Sequence, residues 1–134
     1  MISPNTDGAA GLRILIVEDN VDSADTLQML LALLGYDART AHNGAAAIAL
    51  AREWSPQVVL CDIGLPDMDG YQLARGLRAL AETRTAFLVA LTGHGLDEDR
   101  ARARDAGFDG FQVKPMDPDA LQLMLSARFP PAPS

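Results

Sequence analysis

The sequence predicts an α/β fold, with five parallel strands in one sheet and helices on both faces. Three observations predict it. Short aliphatic runs alternate with helix-like segments five times along the chain. The central run, Val58-Val59-Leu60-Cys61, is apolar at every position, which suits a strand buried on both sides. Turn formers and helix caps separate each run from the helix that follows, as right-handed β-α-β crossovers require.

In chain order, Met1 to Gly11 reads as a flexible lead-in rich in Pro, Asn, Asp and Gly. Leu12–Val17 is the first strand and ends on Glu18-Asp19-Asn20. A helix follows over about Asp22–Leu34, capped somewhere in Asn20 to Ser23. Its Leu27, Leu30, Leu31 and Leu34 recur at three- and four-residue steps, and Gly35 stops it. Tyr36–Ala41 is more polar and is expected at an edge of the sheet. Asn43-Gly44 turns the chain into an alanine-rich helix, Ala45–Trp54, which Ser55-Pro56 ends. The third strand ends at Asp62 and is followed by a turn-rich stretch and a helix from Tyr71 to about Ala81. Ala86–Leu91 is the fourth strand and ends on Thr92-Gly93-His94-Gly95. A helix runs from Asp97-Glu98-Asp99 to Ala106, its acids suiting the helix dipole. Gly110–Val113 is the fifth strand, ending on Lys114-Pro115. Asp117 or Asp119 caps the last helix, Ala120 to about Arg128. Residues 12–128 are expected to form one domain, and 129–134 a Pro-rich tail or linker stub.

Composition narrows the function. The 134 residues carry a formal net charge of -7, which argues against direct contact with nucleic acid and suits a cation or a basic partner. Cys61 is the only cysteine, so internal disulfides and cysteine zinc sites are excluded, and a small buried strand residue is its plainest reading. No apolar stretch is long enough for a membrane span, and the start lacks a signal-peptide pattern. A cytoplasmic protein is expected.

In a parallel sheet every strand delivers its carboxyl end to one edge. That edge should gather Glu18, Asp19, Asp62, Thr92 and Lys114. Alone, each has an ordinary explanation: a turn former, a cap, a loop hydroxyl, a surface charge. Together they are complementary. Three close carboxylates repel unless a cation joins them, and hard oxygen ligands suit Mg2+ or Mn2+. A lysine and a hydroxyl beside that ion make a site for a phosphoryl group, with a carboxylate as nucleophile.

These residues resemble the receiver domain of two-component response regulators. The resemblance rests on Glu18-Asp19-Asn20, Asp62, Gly64-Leu65-Pro66-Asp67-Met68-Asp69-Gly70, Thr92-Gly93 and Lys114-Pro115, and spans about Leu12 to Arg128. It implies a flavodoxin-like, doubly wound (βα)5 sandwich with strand order 2-1-3-4-5. It implies that Asp62 takes a phosphoryl group from a phosphohistidine of a histidine kinase or histidine phosphotransfer protein. Asp19, Asp62 and the Gly64 carbonyl would bind Mg2+, with Glu18 acting mainly through water. Thr92 and Lys114 would grip the phosphoryl oxygens, and Lys114-Pro115 would be cis. Phe111 matches the switch aromatic that turns inward with Thr92. Gly64 and His94 occupy the positions that tune dephosphorylation, although His94 also reads as a plain loop histidine; His42 reads as a surface residue.

The expected function is therefore a phosphoacceptor, not a conventional enzyme, that catalyses its own phosphorylation and dephosphorylation. It would signal through the surface of the fourth helix, fifth strand and fifth helix, including Arg100, Arg104, Phe111 and Gln122. The alternating Arg100, Arg102 and Arg104 offer a docking patch, but read more simply as a solvated helix face, some of them pairing with Asp97 to Asp99. The main alternative is a receiver-like interaction module that is never phosphorylated. A haloacid-dehalogenase-like phosphatase would want an acid two residues after the nucleophile, where Gly64 stands. A flavin binder would want a hydroxyl- and glycine-rich loop in place of Glu18-Asp19-Asn20.

Overall fold

The computed structural model describes residues 11–93 and 97–130. Ten elements alternate: β1 (Arg13–Val17), α1 (Val21–Leu33), β2 (Asp37–Ala41), α2 (Gly44–Trp54), β3 (Val58–Asp62), α3 (Gly70–Ala79), β4 (Phe87–Thr92), α4 (Asp97–Ala106), β5 (Gly110–Val113) and α5 (Pro118–Arg128). They form one parallel sheet in the order β2-β1-β3-β4-β5, the expected doubly wound arrangement. The expected lead-in falls almost wholly outside the described residues, as do the last four residues of the tail.

Side chains alternate across the strands, and this divides the core in two. Leu15, Val17, Val59, Cys61, Leu88 and Ala90 face α2, α3 and α4, meeting Ala47, Ala51, Leu73, Leu77 and Ala103. Ile14, Ile16, Val58, Leu60, Val89 and Leu91 face α1 and α5, meeting Leu31, Leu121 and Leu125. The middle strands β1, β3 and β4 are buried almost throughout, whereas β2 alternates exposed and half-buried residues as an edge strand does.

Several boundaries move by one or two residues, for identifiable reasons. Tyr36 is buried but lies outside β2, because pairing with β1 begins at Asp37 opposite Arg13. Asn43 is a helix cap: its side chain accepts from the Ala46 amide at 2.8 Å, so α2 already includes Gly44. Asp117 caps α5, leaving Pro118 in the first turn where its missing N–H costs nothing. Of the four leucines expected along this helix only Leu31 is fully buried; Leu27 packs partly against the same core, as does Leu34, which is the C-cap and lies outside α1.

At the end of the sheet away from the strand carboxyl termini, one side chain gathers several main-chain carbonyls. Arg78, in the last turn of α3, donates to the Gly107 carbonyl (3.0 and 2.7 Å) and to the carbonyls of Arg84 (2.9 Å) and Ala86 (2.7 Å). It also pairs with Asp109 at 2.7 Å. Asp109 in turn accepts from the Leu88 amide. The planar fork thus joins α3, the entry to β4 and the entry to β5, a geometry that a lysine cannot reproduce. Arg78→Ala is expected to lower unfolding stability by about 2 kcal/mol in urea denaturation, because several carbonyls lose a charged donor. Arg78→Lys should recover less than half of the loss.

Candidate functional site

The strand register builds the site. Val17 pairs with Cys61, Asp62 with Leu91 and Thr92 with Val113. The residues that end or follow these strands therefore emerge together. Main-chain bonds fix two of them further: the Glu18 amide donates to the Ala41 carbonyl at 3.0 Å, and the Lys114 amide to the Thr92 carbonyl at 2.7 Å.

Glu18 turns inward and is buried, Asp19 stays exposed, and Asn20 caps α1 by accepting from the Ser23 amide at 2.9 Å. Lys114 reaches back across the edge. Its Nζ lies 2.7 Å from Glu18 Oε1 and 3.0 Å from Asp62 Oδ2. The other Asp62 oxygen, Oδ1, accepts from the Gly64 amide at 3.0 Å, and Glu18 Oε2 from the Asn20 amide at 3.2 Å. Thr92 is buried at the end of β4. The Lys114–Pro115 peptide is cis, as the resemblance implied.

Burial is the largest influence on Glu18 and raises its pKa above the ordinary 4.5, although the Lys114 ammonium and the Asn20 amide pull it back. Burial alone would lower Lys114, yet the Glu18 and Asp62 carboxylates together outweigh it and hold the ammonium above its usual 10.5. Lys114 therefore stays charged at neutral pH.

Glu18, Asp19 and Asp62 can each place one carboxylate oxygen within 4.8 Å of the others. Three acids against one lysine leave an excess of negative charge, and the donors are all hard oxygens. The cluster fits an octahedral divalent ion such as Mg2+ or Mn2+. A groove of about 620 Å³ runs beside it, between α1 and the stretch after β5, lined by Glu18, Thr26, Leu27, Leu30, Lys114 and Met116 among others. No described helix is long and apolar enough to cross a membrane.

Phe111 is half-buried, and the Arg100 guanidinium sits 4.7 Å from its ring centroid. Arg102 lies 4.3 Å from the Tyr71 ring. The expectation that these arginines pair with Asp97 to Asp99 is not met among the described residues. α4 buries only Ala103 and Ala106, so its arginines lie along aromatic faces that small side chains leave open. His42 is also not the plain surface residue expected: it is half-buried, and its Nε2 is enclosed without a hydrogen-bond partner among the described residues. Cys61 is fully buried, and burial drives its thiol pKa far up, so it is no nucleophile. His94 lies outside the described residues.

Two aspartates do work that sequence reasoning missed. Asp69 caps α3 in a reciprocal capping box with Gln72, and the pattern Asp-x-x-Gln could have revealed it. Asp67 accepts from the amides of Gly44 (2.7 Å) and Ala45 (2.9 Å), at the start of a different helix. No local pattern announces such a contact.

The raised Glu18 pKa sets a direction for metal binding. A divalent ion at this cluster would compete with a proton on Glu18 as pH falls toward the raised pKa. Mn2+ affinity should fall as the buffer is taken from about pH 7 to about pH 5, and Glu18→Gln should flatten that slope.

The sequence matches the response regulator receiver domain family over residues 14–126. It is 35% identical over 114 residues to the transcriptional regulatory protein KdpE of Mycobacterium tuberculosis, covering 85% of this chain but only 49% of KdpE. It is 33% identical over 115 residues to the protein PilH of Pseudomonas aeruginosa, covering 86% of this chain and 95% of PilH. Among solved structures, the receiver domain of sensor histidine kinase PA1611 from Pseudomonas aeruginosa superposes with a TM-score of 0.79. That domain is 33% identical, the match covers 90% of this chain and 98% of that one, and it is described with a magnesium ion coordinated in its active site cleft.

Proposed function

This chain belongs to the response regulator receiver domain family, and on that premise we propose that Asp62 accepts a phosphoryl group from a phosphohistidine. The observation that carries this reading is the Lys114 ammonium held between Glu18 and Asp62 at the strand ends. The donor would be a histidine kinase or a histidine phosphotransfer protein. The groove along α1 offers it a seat, since it reaches Glu18 and Lys114 and is lined by leucines of α1.

An Asp62 oxygen attacks phosphorus. The P–N bond to the donor imidazole breaks as the new P–O bond forms, and the imidazole leaves with the electron pair and takes a proton. Lys114 already touches Asp62, so it can pass from the carboxylate to a phosphoryl oxygen with little movement. The Thr92 hydroxyl donates to another. Asp19, Asp62 and the Gly64 carbonyl would hold Mg2+ or Mn2+, with Glu18 acting mainly through water, and the ion would supply the remaining charge neutralisation. Later attack by water on the acyl phosphate restores Asp62, so the protein promotes both halves of its own cycle. Gly64 leaves that approach open, because among the described residues a Cβ there would meet only Asp62 Oδ1, at 3.9 Å. His94 is the second tuning position.

In the phosphorylated state Thr92 moves toward the phosphoryl group and Phe111 turns into the space it vacates. That motion takes Phe111 from under Arg100 and changes the surface formed by α4, β5 and α5.

Incubation with phosphoramidate, read by intact mass, tests this reading. A single phosphoryl adduct is expected with Mg2+, none in EDTA and none in Asp62→Asn. Its decay should slow several-fold in Gly64→Val, where a side chain screens the path of water. No adduct under any condition would contradict the reading and leave a receiver-like interaction module in its place.

A further inference from the structure

The loop between β3 and α3, residues 63–69, starts directly from Asp62 and is closed at its base by the Gly70 amide on the Ile63 carbonyl at 2.7 Å. Gly70 permits that closure, since a Cβ would come within 2.7 Å of Ile63 Cα. The outer part of the loop is tied elsewhere. Asp67 bonds the first two amides of α2, Gly44 and Ala45, while Asn43 takes the third, Ala46. α2 has no acid of its own in its first turn, so Asp67 brings the negative charge that its dipole favours. Met68 lies over Gly44 so closely that a Cβ there would stand 2.5 Å from Met68 Cγ. These contacts dock the loop on α2 by a two-bond cap and a side chain resting on bare backbone.

The same loop supplies the Gly64 amide that holds Asp62 Oδ1. Among the described residues that carboxylate has two anchors, Lys114 on one oxygen and this amide on the other. Lys114 is placed by β5, but the amide is placed by the loop. We propose that Asp67 is a positioning residue for Asp62: by clamping the 63–69 loop to the N-terminus of α2, it holds the Gly64 amide against the acceptor carboxylate. The clamp makes α2 part of the acceptor site, although α2 contributes no side chain to the acidic cluster. This inference rests on the reading of Asp62 as acceptor and metal ligand.

Two measurements on wild type, Asp67→Ala, Asp67→Asn and Gly44→Ala test it, all well below the unfolding temperature so that global stability does not enter. The first is hydrogen exchange of the Gly64 amide by NMR. The second is Mn2+ affinity, from the free-ion signal in electron paramagnetic resonance. In Asp67→Ala, Gly64 exchange should speed up at least about tenfold, and Mn2+ binding should weaken about tenfold, as for other groups that orient metal ligands. Asp67→Asn keeps one acceptor oxygen and should fall between. Gly44→Ala discriminates further: alanine favours the helix, yet it displaces Met68, so the clamp predicts weaker Mn2+ binding despite a stabler α2. Unchanged Gly64 exchange in Asp67→Ala, or Mn2+ affinity within twofold of wild type in both Asp67→Ala and Gly44→Ala, would overturn the proposal. Wild-type protein that binds no Mn2+ would overturn the metal reading, while Gly64 exchange would still decide for or against the clamp.

Discussion

A single ammonium group holds the functional edge of this protein together. Lys114 Nζ contacts Glu18 and Asp62, which arrive from strands β1 and β3, and it does so from the end of β5. The contact spans most of the chain and costs desolvation on both sides. The two carboxylates outweigh that cost for the lysine, whose pKa lies above its ordinary value, while burial still dominates at Glu18. The balance is incomplete by design of charge: one cation faces three acids. An arrangement of this kind suits a divalent cation, which relieves the repulsion among the acids and supplies positive charge for an anionic phosphoryl group.

The rest of the fold serves that edge. Three aliphatic strands buried on both faces fix the register to which the acids and the lysine are attached. One-residue slippage would turn every core side chain to the wrong face, so the packing that stabilises the sheet also positions the site. At the opposite edge, Arg78 fixes the entries to β4 and β5. The strands are thus held at both ends, by polar groups at the edges and apolar burial between them.

The architecture was legible in the sequence because its signals are local. Val58 to Cys61, apolar throughout, suits only the inside of the sheet, and Gly35 and Asn20 act within a few residues of where they stand. The site was legible for a topological reason: a parallel sheet sends all its strand ends to one edge, so Glu18, Asp62, Thr92 and Lys114 could be placed together without coordinates. Apart from the local capping box of Asp69 and Gln72, the features missed are those made between segments apart in the sequence. Asp67 caps a helix that begins more than twenty residues earlier in the chain. Arg100 and Arg102 lie on Phe111 and Tyr71 where helical spacing suggested Asp97 to Asp99, because spacing reports neighbours on one helix and not rings beneath it. His42 follows an edge strand and looked exposed, but the chain around it encloses its Nε2.

Lys114 is the only lysine in the chain, so protein grown with 15N-labelled lysine carries one side-chain ammonium signal, and that signal tests the account most directly. The account predicts a resonance that titrates above the ordinary 10.5 in metal-free buffer. It should shift when Mg2+ and beryllofluoride, a phosphoryl mimic, are added together, and should ignore that addition in Asp62→Asn. A signal that titrates as an exposed lysine does and is indifferent to both additions in the wild-type protein would contradict it.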